Sequence, residues 1–182
     1  MELIIFIYLI MFFFGLLFLI IFLILHYRHI EILYDSPKIT NYPTVSFLVP
    51  AYNEEDHLED TVNALVKVDY PKGKKEIIII NDGSKDNTKE VGKRLVKKYK
   101  EVIMLDKENS GKADSLNKAI KIAKGELIAV VDADSYPNPD ALLKMVGHFE
   151  EEGVAAVTSR VLVKNKDNLL CRFQVMDYSI IA

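Results

Sequence analysis

Asp132 and Asp134 flank a single residue just past an apolar run. In extended backbone, positions i and i+2 face the same side, so the two carboxylates share one side of the chain. Carboxylates held together repel and need a partner. A hard divalent cation is one such partner, since Mg²⁺ takes one or two carboxylates together with waters and substrate phosphates. The plain alternative is that one aspartate caps a helix starting near Pro139 while the other is solvated. Lys112 opens a helical stretch directly after Ser110-Gly111. A phosphate there would meet both the helix N-terminus and the ammonium; an ordinary surface lysine is the alternative. The segment is not a Walker A loop, because Asp106 stands where that loop needs glycine and Ala113 where it needs Ser or Thr. Asp82, before Gly83, suits a turn, and its carboxylate could equally accept the imide N–H of a base. Tyr52 could stack on a base or simply pack. Glu54 and Glu55 suit the first turn of a helix without any ligand. His26, His29, His57 and His148 are scattered and show no metal-ligand spacing.

These residues fall at regular places in an alternating pattern. Residues 44–49 read as a strand ended by Pro50, and 54–67 as a helix with Leu58, Val62 and Leu65 on one face. Residues 76–80 form a solid apolar run, as in a strand buried on both faces. Helical periodicity follows over 86–100, a short strand over 102–105, a helix over 112–124 and a strand over 126–131. A helix over 139–152 and a strand over 154–163 complete the series. Strands alternating with helices predict βαβ units and a mostly parallel sheet with helices on both faces, an α/β class. In such a sheet, ligands bind beyond the carboxyl ends of the strands. Four polar segments belong there: Pro50-Ala51-Tyr52-Asn53-Glu54, Asn81-Asp82-Gly83-Ser84, Asn109-Ser110-Gly111-Lys112 and Asp132-Ala133-Asp134. No GxGxxG follows the first strand, so dinucleotide binding lacks support.

The 182 residues divide unevenly. Residues 3–25 carry no charge and hold six of the nine Phe, whereas only Arg28 among 23 Lys+Arg and Glu2 among 26 Asp+Glu fall in the first thirty. At about 1.5 Å per residue, this stretch as a helix reaches roughly 35 Å, against a hydrocarbon core of about 30 Å. It is too long for a signal-peptide core and lacks the basic start. The expected layout is a transmembrane anchor over 1–30, a polar linker over 31–43 with Pro37 and Pro43 as breakers, and a domain over 44–182. Arg28 after the span and Glu2 before it put that domain in the cytoplasm by the positive-inside rule. Lone Cys171 excludes a disulfide scaffold. A net charge of −3 gives no reason to expect nucleic acid.

Taken together, the four segments, with Gly111-Lys112-Ala113-Asp114-Ser115-Leu116-Asn117 completing the third, resemble family 2 glycosyltransferases. The motifs stand in that family's order and spacing over residues 44 to about 165. With the apolar N-terminus they look most like its membrane polysaccharide-synthase branch, the hyaluronan, chitin, cellulose and poly-N-acetylglucosamine synthases. The resemblance implies a Rossmann-like glycosyltransferase-A fold that binds a nucleotide-sugar, usually a UDP-sugar, with Mg²⁺ or Mn²⁺. It implies that Ala51, Tyr52 and Glu54 line the nucleoside site, that Asp82 contacts the base and that Lys112 lies near the diphosphate. Asp132 would face ribose or metal, and Asp134 would bind metal and phosphate. Asn81 is a departure, since the family often has aspartate there. The implied reaction passes the donor's sugar to a hydroxyl of a saccharide or lipid-linked acceptor. The family's general base lies in a later acidic motif, expected beyond residue 182, and its Gln-x-x-Arg-Trp motif is missing because the chain has no Trp. Asp177 is not expected to be that base. The chain thus reads as the donor-binding front part of a longer enzyme, inactive alone. Two other readings stand beside it. One is a membrane-tethered module that holds a nucleotide-sugar without turnover. The other is a haloacid-dehalogenase-type phosphatase, which would need its DxD on the first strand.

Overall fold

The computed structural model describes residues 2–34 and 37–159, together with 162 and 171. Its chain forms two compact units, Met1–Pro37 and Lys38–Ala182. The first is one helix, α1 (Glu2–Tyr34). Over residues 3–25, Leu, Ile and Phe occupy every side of it and leave no polar face, which is the pattern of a helix surrounded by apolar material. Glu2–Tyr27 is long and apolar enough to cross a membrane, with a mean hydropathy of 3.1. The helix continues four residues past the expected anchor boundary, because Glu31 to Tyr34 contain no breaker and Pro37 is the first residue that cannot continue it.

The second unit is built on a four-stranded parallel sheet in the order β3-β2-β1-β4. Its elements are β1 (Val45–Ala51), α2 (Leu58–Val66), β2 (Lys75–Asp82), α3 (Thr88–Lys98), β3 (Val102–Lys107), α4 (Lys112–Ile120), β4 (Leu127–Val130) and α5 (Ala141–Val146), with a 3₁₀ turn over Gly147–Glu150. The predicted α/β architecture with helices on both faces is present. Alternate strand residues feed two cores. Val45, Phe47, Val49, Ile77, Ile79 and Val102 pack under α2, α3 and α5 through Leu58, Val62, Leu65, Val91, Leu95, Leu142 and Val146. Leu48, Ile78 and Ile80 pack under α4 through Ala119 and Leu116. Ile77 to Ile80 are all fully buried, which is why β2 reads as an unbroken apolar run.

Winding reverses at β1. The connections through α2 and α3 run outward to β2 and β3, whereas the chain from β3 passes over the other face through α4 to reach β4, beside β1. That reversal opens a crevice at the carboxyl ends of β1 and β4. Pro50, expected to end β1, lies inside it. The Leu48 carbonyl accepts the Val131 N–H on the β4 side. Pro50, two residues on, faces the same way, but β4 has ended, so its missing N–H leaves no ladder bond unmade.

Other elements also differ from expectation: the helix expected over 112–124 ends at Ile120, and the one expected over 139–152 is α5 followed by the 3₁₀ turn over Gly147–Glu150. α2 begins at Leu58 rather than Glu54, for reasons that lie in the crevice. The strand expected over 154–163 is absent from its described part, since residues 154–159 pair with no strand. Val157, Thr158 and Ser159 share a groove with residues 127–131 of the β4 region but make no ladder. Branched side chains favour a strand only where a partner's backbone is in register. Residues 160, 161 and 163 lie outside the described residues.

Candidate functional site

A cleft of about 380 Å³ lies at the winding reversal. It is lined by Pro50, Ala51, Tyr52 and Glu54 after β1, Asp82 at the end of β2, Asn109, Gly111, Lys112 and Ser115 around the start of α4, and Asp132 to Asp134 after β4. All seven residues singled out from the sequence, Ala51, Tyr52, Glu54, Asp82, Lys112, Asp132 and Asp134, line this one space.

The β1 wall is held from outside the cleft. Asn53 has φ +58, and the next backbone donors are taken by the loop after β2. The Asn53 N–H donates to Ser84 Oγ (3.1 Å), the Glu54 N–H to Thr88 Oγ1 (2.8 Å) and the Glu55 N–H to Asp86 Oδ2 (3.2 Å). In return Asn53 Oδ1 accepts the Lys85 N–H (2.8 Å) and Glu55 Oε2 the Asn87 N–H (2.8 Å). Glu54 and Glu55 are therefore not first-turn residues of α2, and the helix is displaced to Leu58. Burial raises the Asp86 carboxyl, but bonds from Thr88 and the Glu55 N–H outweigh it and hold Asp86 below the usual carboxylate range. Tyr52 is left 43% exposed, its ring open to a ligand.

Asp82 ends β2 with its side chain 7% exposed. Oδ1 accepts the Ser110 N–H (2.9 Å) and the Lys107 ammonium, and Oδ2 accepts the Gly111 N–H (2.9 Å). A carboxylate has about four lone-pair directions, so Oδ2 keeps one for an incoming N–H. Burial pushes the Asp82 carboxyl up, but Lys107 and the two backbone donors prevail and hold it low. Gly83 follows at φ +67, and a Cβ there would lie 2.6 Å from the Asn109 nitrogen, so only glycine lets the 109–111 loop approach. Asn81, where aspartate was the commoner expectation, donates through Nδ2 to Asp106 Oδ1 (2.7 Å). An aspartate there would face Asp106 without a proton between them.

Asp132 and Asp134 stand on the short loop after β4. Thr61 Oγ1 of α2 donates to the Ala133 carbonyl between them (2.6 Å, buried), tying that loop to the core. Neither aspartate caps a helix, since α5 starts only at Ala141. Lys112 Nζ lies 2.5 Å from Asp132 Oδ1, both side chains more than half exposed. Burial, followed by the nearby Asp134 and with a smaller push from Asp132, raises the Glu54 carboxyl above its ordinary range. Three carboxylates thus share one field with one ammonium. All the donors are oxygens, and among the described residues no group of three or more His, Cys, Asp or Glu forms a closed metal cage. Two carboxylates with open positions suit a hard cation that keeps waters or brings phosphates, so the residues fit Mg²⁺ or Mn²⁺.

Lys107 was not singled out from the sequence. It belongs to a charged run, and only the sheet register places it beside Asp82.

Comparison with known proteins gives the family and the fold. The family model described as glycosyl transferase family 2 matches residues 46–177. A poly-beta-1,6-N-acetyl-D-glucosamine synthase of Staphylococcus aureus (strain MSSA476) is 39% identical over 137 residues, 74% of this chain and 32% of its own length. The synthase of Staphylococcus epidermidis is 39% identical over 139 residues, 75% of this chain and 33% of its own. The chain spans about a third of the length of these curated relatives. Among solved structures, a mannosyltransferase from Pyrobaculum calidifontis in complex with GDP-Man and Mn²⁺ superposes with a TM-score of 0.63 at 28% identity, covering 72% of this chain and 41% of that one. S. aureus TarS in complex with UDP-GlcNAc gives a TM-score of 0.54 at 26% identity, covering 67% and 41%.

Proposed function

The chain belongs to glycosyl transferase family 2, and on that premise we propose that its cleft is the donor site of a membrane-anchored glycosyltransferase. The observation that carries this reading is the convergence of all four motif segments on one cleft at the winding reversal of the sheet. The donor is a UDP-sugar. The UDP-GlcNAc in the TarS complex and the product named for the staphylococcal synthases make N-acetylglucosamine the sugar to test first.

Each wall then has a task. Tyr52 stacks on the base, and the open lone pair of Asp82 Oδ2 accepts its imide N–H. Lys112 leaves Asp132 for the diphosphate, where the N–H groups of the first turn of α4 also point. There the ammonium offsets the negative charge that builds on the leaving group. Asp132 and Asp134 would hold Mg²⁺ or Mn²⁺, which when bound supplies further charge stabilisation on the phosphates. Transfer also needs a base for the acceptor's proton. Among the described residues, none lining this cleft comes after Asp134, and we place that base outside the cleft lining, with the saccharide or lipid-linked acceptor. α1 anchors the domain, over the layout 1–30, 31–43 and 44–182, on the cytoplasmic side of the membrane.

Calorimetry on the detergent-solubilised chain with Mn²⁺ tests the donor. UDP-GlcNAc should bind at least about tenfold more tightly than GDP-mannose, a gap of about 1.4 kcal/mol. Equal affinity for the two nucleotides would remove the uracil assignment.

A further inference from the structure

Lys107 lies just behind the cleft rather than in its lining. Asp82 and Lys107 are register partners at the ends of neighbouring parallel strands, so their side chains share the α4 face of the sheet. Both are 7% exposed. The ammonium reaches three groups: Asp82 Oδ1, Ser115 Oγ at 3.2 Å and Asp114 Oδ2 at 3.6 Å, the last two on α4. Asp82 in turn grips the N–H groups of Ser110 and Gly111, the two residues before Lys112. Asp114 is itself fixed by Lys118 at 2.8 Å and by the Ser110 hydroxyl. A buried lysine that spans a strand end and a helix start does more than fill space. Removing one partner of such a pair leaves the other charge buried and uncompensated.

We propose that Lys107 is a positioning residue of the donor site. It fixes the Asp82 carboxylate and, through it, the backbone of 109–111, so that the wall meeting the base and the wall carrying Lys112 act as one unit. The inference deepens the donor-site reading and rests on it.

A pH profile distinguishes this role from simple support. The charged group bonded to Asp82 is Lys107, from β3; Asp114 on α4 faces that ammonium, and Glu54, Lys112, Asp132 and Asp134 stand across the cleft. With Lys107 present, Asp82 is ionised throughout the neutral range. Without it, burial acts against the charged form and the carboxyl takes up a proton as pH falls. A protonated Asp82 holds the 110 and 111 N–H groups weakly, so donor affinity falls on the acid side and returns on the alkaline side.

The test measures Mn²⁺-dependent UDP-GlcNAc binding by calorimetry on the whole chain in detergent, with wild type, Lys107→Met and Lys107→Arg at several pH values. UDP-GlcNAc is the probe because its diester phosphates do not titrate in this window. Lys107→Met should bind about tenfold more weakly than wild type near pH 6 and regain most of that deficit by about pH 8.5, while Lys107→Arg stays near wild type. Should the methionine variant melt too early to assay, Lys107→Gln keeps a donor near Asp82 without the charge and must show the same proton-linked deficit. A deficit that does not vary with pH, or no deficit, overturns the role of Lys107 while wild-type binding leaves the donor reading intact. Failure of wild type to bind UDP-GlcNAc with Mn²⁺ at every pH overturns both.

Discussion

At the scale of single residues, Asn81 shows why a family departure can be self-consistent. Its amide donates to Asp106, whose carboxylate also pairs with Lys89 at 2.5 Å, and its carbonyl accepts the Ser84 N–H at 3.3 Å. Asn81→Asp would set two carboxylates together and leave Asp106 short of a donor. It should destabilise the domain by about 1–3 kcal/mol, the scale for leaving the buried group at position 81 unsatisfied. Asn81→Asp with Asp106→Asn should recover most of that loss in a thermal melt, and a double variant no better than the single one would refute the pairing. Asp82 and Asp86 give a second prediction, from their low carboxyl pKa values. A group whose folded value lies below its unfolded value contributes stability that is fully present above the unfolded value, about 3.9 for aspartate. It is lost as pH falls through the folded value. Denaturant melts of Asp86→Asn and wild type should therefore differ at neutral pH and converge as pH drops below about 4. A constant gap across that window would contradict the assignment. The chemistry-bearing residues were legible as types and spacings, because strand ends in a parallel sheet must converge. Lys107 was not legible. Nothing in its local pattern separates it from the other lysines, and its meaning comes from register with Asp82 on a neighbouring strand.

At the scale of elements, the cleft is held by contacts that cross the chain. The start of α2 illustrates the point. Acidic residues before an apolar periodic run suggest a helix from Glu54, yet the N–H groups of 53–55 bond to side chains 31 to 34 residues away. That competition is invisible to local periodicity, whereas the apolar face of Leu58, Val62 and Leu65 was visible and correct. α2 also steadies the aspartate loop through Thr61. Thr61→Val removes the hydroxyl, keeps the shape and strands the buried Ala133 carbonyl. It should cost about 1–3 kcal/mol in stability and weaken Mn²⁺-dependent nucleotide binding more than nucleotide binding in chelator. Equal weakening under both conditions would mean that Thr61 does not act through Asp132 and Asp134. The missing strand over 154–159 fails for a related reason. Its residue types suit a strand, but strand formation needs a partner's ladder that those residues do not have here.

At the scale of the whole molecule, composition separates an apolar stretch from a charged domain, and the structure divides into Met1–Pro37 and Lys38–Ala182. The cytoplasmic orientation is an expectation carried by Arg28 and the flanking His26 and His29 after the span and Glu2 before it. A reporter active only in the cytoplasm, fused after Ala182, should be active, and activity of an exported-only reporter at that position would reverse the topology. The sheet order, its reversal at β1 and the resulting cleft bind these scales together, because each motif is a strand end and the reversal decides which ends meet. The central claim is that this cleft holds a nucleoside diphosphate through a divalent cation on Asp132 and Asp134. Titration of the whole chain with UDP, in Mn²⁺ and then in EDTA, measures it directly, with Asp134→Ala alongside. UDP should bind wild type more tightly in Mn²⁺ by about 2 kcal/mol or more, the scale for charged partners, and Asp134→Ala should remove that difference. Equal UDP affinity with and without the metal in wild type would contradict the account.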